Sequence, residues 1–595
     1  MDPIHPHPHL PTVPIARDDA DNKSFSDDKK SHADSESAQH AVAPSSSQVP
    51  DEDAQAGVTT AEAVTLTWNR KWLWVAYASM WCLYLVRAFE SNLTANLGAY
   101  IVSGFEEHSL IPVIGIVSGI MGAATAMPVA KMLNVWDRGY GFLVMILLSL
   151  IGLILSAATT NIYTYCAAQV FWSVGYTGAI FTVDIITTDT SSLRDRGLAY
   201  AFTSSPYLIT AFAGPKAAEG FYARNWRWSY GAFAIILPFV AAPLFIALEY
   251  NKRKAIRAGT LVRSASRNVG KPLLEKVWTF VIEFDLPGVI LLAGGLALFL
   301  IPFNIASSSS SDWRSPHIIA MLVVGLLMIV FFGIYERFLS PKPFASGSLL
   351  ANRTLIGGCY LSFMYFIAAS CWGAYFTSLL QVVFNVSLSE AGYISNTSDV
   401  VNSFWLLIVG YVIKRSGRFK WVLYFALPIY TLGEGLLIYF RHPGQSVGFV
   451  IMCQIFMSLG GGTMVIAEQV AVLAAASHNE AASAFAILSV FGNAGSAVGG
   501  AVSGAIWTHT FPNKLQEYLP AEALPDWETI YESLDTQLSY EVGSATRLAI
   551  ARAYGEAQQW MVAAGTIFMG LAFISILLIR NVHLDKIEQV KGVLL

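Results

Sequence analysis

The sequence predicts an all-α membrane protein: fourteen transmembrane helices arranged as two six-helix bundles with a helix pair inserted between them. Three observations carry that expectation. Fourteen apolar stretches fill the chain from Trp72 to Arg580. The 595 residues are 54% hydrophobic and only 13% charged, a balance foreign to a soluble chain of this size. A short, basic, glycine-bearing turn also occurs twice, at corresponding places in the first and last six stretches.

A helix rises 1.5 Å per residue, so roughly 20 apolar residues cross a hydrocarbon core of about 30 Å. The stretches are 72–95, 111–131, 140–158, 163–187, 198–220, 228–250, 286–304, 316–339, 355–382, 391–413, 421–440, 447–475, 482–508 and 558–580. The first bundle is expected over 71–250, the inserted pair over 286–339 and the second bundle over 355–580. Residues 1–70 are rich in Ser, Asp, Pro and Ala and have no apolar run, which predicts a disordered tail rather than a signal peptide. With an even number of spans both termini share one side. The connection 251–285 holds eight Lys and Arg residues between Lys252 and Lys276, which places it, both termini and the tail 581–595 in the cytoplasm. The net charge of −4 sums segments in different environments and decides nothing.

The first basic turn reads KMLNVWDRGYG over 131–141 and the second GYVIKRSGRFK over 410–420. Paired turns of this kind mark a duplicated transporter. Arg138 and Arg415, with Arg194 and Arg418 nearby, are the gating candidates, able to hold helix C-termini and carboxylates when the cytoplasmic side is closed. All five cysteines fall within spans, and no disulfide or metal spacing follows from them. The His5-Pro-His7-Pro-His9 string is read as low complexity. No nucleotide-binding P-loop appears.

The second turn resembles the basic turn of the major facilitator superfamily; the first is a degraded copy, with Asn134 where an Asp is usual. Further strings narrow the resemblance: DTSSLRDR at 189–196, Gly214-Pro215, WRWSY at 226–230, LGEG at 432–435, GGGT at 460–463 and AIWT at 505–508. Within the loop 509–556 come Tyr518-Leu519-Pro520 and QLSY at 537–540, running into Ala553-Tyr554-Gly555. Together they are similar to the fungal siderophore iron transporter family, Mir-type members first, over about residues 65–580.

That resemblance implies proton-coupled import of a ferric hydroxamate siderophore across the plasma membrane by alternating access. A fusarinine-type complex such as triacetylfusarinine C leads, ahead of ferrichrome and ferrioxamine. It implies no enzyme activity, no cofactor, no nucleic acid partner and a monomer in the lipid bilayer. The residues are compatible, because a siderophore already saturates its iron and asks only for shape, aromatic faces and hydrogen-bonding groups. Trp81, Tyr84, Trp172, Tyr176, Trp372, Tyr375 and Trp405 supply aromatic faces. A fourteen-span drug:proton exporter and a transporter-like sensor are the competing readings; the partial span-5 signature, Gly214-Pro215 followed by Lys216-Ala217-Ala218-Glu219, weighs against the exporter.

Charges within hydrocarbon are expensive and mark function by default. Arg87 and Glu90 share a helix face, as do Lys216 and Glu219. Arg87, Lys216, Asn402 and Glu468 join the substrate-binding candidates, and Glu90 and Asp399 are the proton-coupling candidates. Asp184 lies towards the inner end of span 4. Glu434 is mid-span in helix 11, which the resemblance puts at the bundle periphery, so a structural role is expected for it. The acidic, tyrosine-bearing loop 509–556 is expected to fold as a cap that captures or seals substrate.

Overall fold

The computed structural model describes residues 56–105, 108–192, 195–261, 272–306, 312–341, 347–476 and 480–584. Most of the N-terminal tail, part of the basic connection, Arg194 and the last residues of the C-terminal tail lie outside them.

Among the described residues the regular structure is helical throughout. Part of the expected tail is ordered as α1 (Ala56–Thr67), which packs on the ends of three later helices. Then follow α2 (Arg70–Ser103), α3 (Ile111–Val135), α4 (Arg138–Ala158), α5 (Ile162–Thr190), α6 (Arg196–Ser204), α7 (Tyr207–Arg224) and α8 (Trp228–Arg257). The middle of the chain forms α9 (Leu273–Glu283), α10 (Leu286–Leu300), α11 (Pro302–Ile305), α12 (Pro316–Ile334) and α13 (Gly347–Leu350). The last part holds α14 (Arg353–Gly373), α15 (Phe376–Phe384), α16 (Leu388–Ser395), α17 (Thr397–Ser416), α18 (Lys420–Phe440), α19 (Val447–Ala474) and α20 (Ala481–Tyr518). It closes with α21 (Trp527–Glu532), α22 (Leu534–Ser539), α23 (Ala545–Ala572) and α24 (Ile574–Leu578).

The first bundle packs α2 against α7 and α8, and α4 against α5 and α8; the second packs α14 against α20 and α23, and α19 against α17 and α18. The bundles meet along two seams, α3 with α20, and α6 and α7 with α16 and α17. The inserted helices α10 and α12 pair with each other and lean on α3 and α20, leaving most of their surface exposed. Such a face suits lipid, which is as apolar as the side chains it meets.

Among the described residues, twelve helical segments are long and apolar enough to cross a membrane, fewer than the fourteen expected. The two expected spans that fall short, 198–220 and 391–413, are each broken. Pro206, which has no backbone N–H to give, ends the run at Ser204, and a polar stretch at Asn396 separates α16 from α17. Across the seam, the Asn396 side-chain amide donates at 3.0 Å to the Ala211 carbonyl of α7, which Pro215, four residues on, leaves without its helical N–H. Irregular backbone at membrane depth is tolerated where protein buries it in this way.

The expected span 355–382 also breaks. Tyr375, with φ of 56°, adopts a left-handed conformation that a non-glycine residue rarely takes, and turns the chain between α14 and α15. The expected loop 509–556 is largely helix. α20 runs 38 residues, about 57 Å at 1.5 Å per residue, and α23 begins at Ala545, so only 519–544 connects them.

Candidate functional site

A cavity of about 440 Å³ opens between the bundles, within the range of small-molecule sites. Ser91, Thr94 and Gly98 of α2, Ser118 of α3, Gln169 and Trp172 of α5, and the broken stretch from Trp372 to Ser378 form its walls. Among the described residues, no charged side chain belongs to the lining. Of the expected substrate-binding residues, Trp172, Trp372 and Tyr375 face this space.

Below Trp172 lies the most elaborate polar cluster of the first bundle. Arg87 and Glu90 are both fully buried and paired at 3.0 Å, the geometry their i, i+3 spacing predicts. The Trp172 indole donates to the other Glu90 oxygen, and Arg87 also donates to Ser149. The guanidinium sits 4.9 Å from the Tyr176 ring centroid, and Tyr176 stacks on Trp172 at 5.0 Å. Tyr176 and Tyr207 share a hydroxyl contact of 2.9 Å. Glu90 is thereby separated from the cavity by one side chain. Further along α2, Tyr84 donates to Asp184 at 2.8 Å and the Trp81 indole donates to Ser205 at 3.0 Å, away from the cavity lining.

The second bundle holds its candidates apart from one another. Asp399 is half-buried with Asn92 of the first bundle as its hydrogen-bonding neighbour. Asn402 is half-buried against Gly462, where a Cβ would strike its side-chain oxygen, and that oxygen has no partner among the described residues. Glu468 is buried and accepts from Ser362 at 3.1 Å, with its second oxygen unpartnered among them. Trp405 donates to Thr463 at 2.9 Å. Lys216 is turned outward, exposed, and paired with Glu219 at 2.6 Å, so it is not assembled with the rest.

At one end of the molecule the 519–544 segment sits on the mouth between the bundles. Glu532 accepts from the Ser109 N–H at 2.9 Å, the Leu534 N–H donates to Ser103 at 3.3 Å and Tyr222 donates to Asp535 at 3.1 Å. Arg547 donates to the Gln537 and Gln381 carbonyls, the latter at 3.0 Å, and Tyr100 donates to Gln381 across the bundles. Tyr375 stacks on Trp507 at 4.0 Å and donates to the Ser109 carbonyl at 2.8 Å. Burial pushes the Tyr531 hydroxyl up, with Glu532 adding to the effect, so the ring stays neutral under the cap.

The opposite end carries the two basic turns. Arg138 is buried, donates to Asp189 at 3.0 Å and reaches the Leu133 carbonyl at 2.5 Å near the end of α3. Asp137 pairs with Lys252. Helix α1 lies over this network: its Gly57 backbone rests on the Leu133 and Asn134 carbonyls, where no Cβ fits. In the second turn the link to the first bundle comes from a different side chain. Arg415 is exposed and Arg418 donates to His583 at 2.9 Å, while Lys414 makes the link, 2.5 Å from Asp195. The side chains swap because Lys414 ends on the α6 face of α17 and Arg415, one residue on, points about 100° away. Close by, α6 and α17 touch through Gly197 and Gly410, where a Cβ on Gly410 would come 3.0 Å from the Gly197 carbonyl.

The profile of the Major Facilitator Superfamily matches residues 80–375 and 358–512. Among curated proteins the chain is 56% identical to MFS siderochrome iron transporter D of Aspergillus fumigatus, over 92% of this chain and 91% of that one. It is 44% identical to siderophore iron transporter mirB of Emericella nidulans, over 91% and 90%. The chain belongs to the siderophore iron transporter family of the major facilitator superfamily. Solved structures support the fold alone: the human organic anion transporter MFSD10 superposes with a TM-score of 0.52 at 13% identity, over 85% of this chain and 99% of that one. A peptide transporter of the POT family in complex with sulfate gives 0.52 at 15% identity, over 88% and 99%. The family is one of membrane transporters, not enzymes.

Some features of this transporter had no distinguishing mark in the sequence. Arg441, expected in a connection between spans, is fully buried at the end of α18. Asp195 and Lys414 lie inside the quoted strings, yet their pairing depends on a seam between distant helices. Arg547 has no neighbour in sequence that would reveal its two backbone partners.

Proposed function

We propose that this chain imports a ferric hydroxamate siderophore by proton-coupled alternating access, with a fusarinine-type complex such as triacetylfusarinine C as the leading substrate. Its relatives are named for siderophore iron transport. The uncharged, hydroxyl- and aromatic-rich cavity lining suits a ligand whose iron charge is already neutralised by its own hydroxamates. Among the described residues no group of three His, Cys, Asp or Glu side chains could hold a bare ion.

The observation that carries the reading is Trp172. Its ring faces the cavity while its indole N–H holds Glu90 in the buried pair with Arg87. A substrate that shifts Trp172 changes the hydrogen bonding of Glu90, and a proton on Glu90 changes the hold on Trp172 and Arg87. Asp399, at the seam between bundles, is the second proton carrier in this scheme, reached when the bundles rock. The end carrying 519–544 faces outward in the plasma membrane and the basic turns face the cytoplasm, with both termini on that side. Substrate enters as the cap lifts, and leaves when Lys414–Asp195 and the glycine contact between α6 and α17 part.

Iron supplied only as ferric triacetylfusarinine C, to cells lacking their own siderophore carriers, tests this. Growth and cell-associated iron are expected, and both fall when a protonophore collapses the pH gradient. Drug resistance without iron uptake would replace the reading with an exporter, and altered gene expression without iron uptake would replace it with a sensor.

A further inference from the structure

Helix α18 holds a buried acid and a buried base that the scheme above leaves unused. Glu434 is fully enclosed at mid-helix, and neither of its carboxylate oxygens has a hydrogen-bond partner among the described residues. Arg441 is fully enclosed at the end of the same helix, with Nε and Nη2 unpartnered among them. Its Nη1 donates to Gln558 at 2.5 Å, and its guanidinium lies 4.5 Å from the Phe376 ring centroid and 5.7 Å from that of Trp372. On the adjoining α19, Gln454 is also fully enclosed, and its side-chain oxygen and nitrogen are likewise both unpartnered among the described residues.

Glu434 and Arg441 stand seven residues apart, two turns along one helix face. An ionised carboxylate without a donor is costly in a dry interior, whereas a neutral acid is tolerable. Arginine keeps its charge, and aromatic faces are among the few apolar surfaces that welcome it. The arrangement seen is therefore the one that a protonated Glu434 permits: Arg441 is free to lie on the two rings. Removing the proton leaves a bare carboxylate whose best available partner is Arg441. The groups facing Glu434 are Arg441 and Tyr430 on its own helix, and Tyr365 and Cys371 on α14. Cys453 of α19 lies beside Arg441, and α23 contributes Gln558 and Gly565, whose missing Cβ leaves room for a Glu434 oxygen.

We propose that Glu434 and Arg441 form a proton site read out at the cavity wall. With Glu434 protonated, Arg441 rests on Trp372 and Phe376; when the proton leaves, Arg441 is drawn off those rings to the carboxylate. Both rings line the cavity, so the exchange reshapes the wall that meets substrate. Trp372 is also tied to α18 directly, donating to Tyr430 at 3.1 Å, one turn before Glu434. This assigns a working role where the peripheral position of the helix had suggested a structural one. Its meaning for transport rests on the proton-driven reading above; the existence of the site does not.

Two measurements on the purified full chain in liposomes test it. Infrared difference spectra across a pH titration report protonated carboxylic acids directly. A carbonyl-stretch band that disappears as pH rises is expected in the wild type, absent in Glu434→Gln and moved to higher pH in Arg441→Gln. A band unchanged in Glu434→Gln overturns the proposal. In the second measurement, Glu434→Gln is expected to lose the stimulation of ferric triacetylfusarinine C uptake by an inside-alkaline gradient, while exchange without a gradient falls far less. Full gradient stimulation in that variant overturns the coupling role. If wild-type liposomes move no siderophore while the infrared band still depends on Glu434, the site stands and the transport reading falls.

Discussion

Lys414 Nζ lies 2.5 Å from an Asp195 carboxylate oxygen, joining α17 of the second bundle to the start of α6 in the first. The two side chains keep partial contact with solvent, so the pair is expected to act as a releasable latch. Exposed pairs of this kind are worth up to about 1 kcal/mol and weaken with salt. Asp195→Asn is expected to raise alkylation of a cysteine placed at Leu198, and high salt should do the same to the wild type. Equal labelling in both proteins at every salt concentration would remove the latch.

The glycine contact beside that latch has no such give. Gly410→Leu puts a side chain against the Gly197 backbone, which cannot move aside as a flexible side chain would. Overpacking of about 1–3 kcal/mol is expected, directed against the closed form of this end. Membrane insertion should be normal and transport lost. Wild-type uptake by this variant would show that the two helices need not touch.

The Arg138–Asp189 pair is buried on both sides, which reverses the energetics of Lys414–Asp195. Removing either partner leaves a buried charge uncompensated, at about 3–5 kcal/mol. Arg138→Gln and Asp189→Asn should each lower the melting temperature of the purified protein markedly. The double variant should recover part of the loss, and additive losses would exclude a working pair.

Glu90→Gln and Asp399→Asn are expected to abolish uptake driven by the pH gradient while surface expression is retained. In the first variant the Trp172 indole can still donate to the side-chain carbonyl of the introduced glutamine, so the cavity wall should keep its shape. Full gradient-driven uptake in both variants would take these carboxylates out of the coupling scheme.

Arg547 holds the cap from beneath, through the Gln537 and Gln381 carbonyls. Hydrogen bonds from a charged donor contribute about 1.5–3 kcal/mol each. Arg547→Ala should free the 519–544 segment, seen as faster proteolysis within it and weaker retention of bound ferric siderophore. Unaltered proteolysis would mean that Glu532, Leu534 and Asp535 suffice to hold it.

The sequence by itself determined the solvent, the helical class and the family, because these rest on hydropathy and short local strings. It also placed Arg87 with Glu90, since i, i+3 spacing on a helix settles that pair without any tertiary information. Only the folded chain decided the breaks at Pro206, Asn396 and Tyr375, because a broken helix is stable in a membrane only when a neighbour satisfies its freed backbone groups. The same dependence on distant partners explains why Lys414 pairs with Asp195 at the basic end, and why Lys216 faces outward. It also explains why much of the expected 509–556 loop is helix, since α20 and α23 run beyond the expected spans to carry the 519–544 segment. Arg441 is the sharpest case: a base that reads as a connector in one dimension is, in three, a buried cation packed against two rings of the cavity wall.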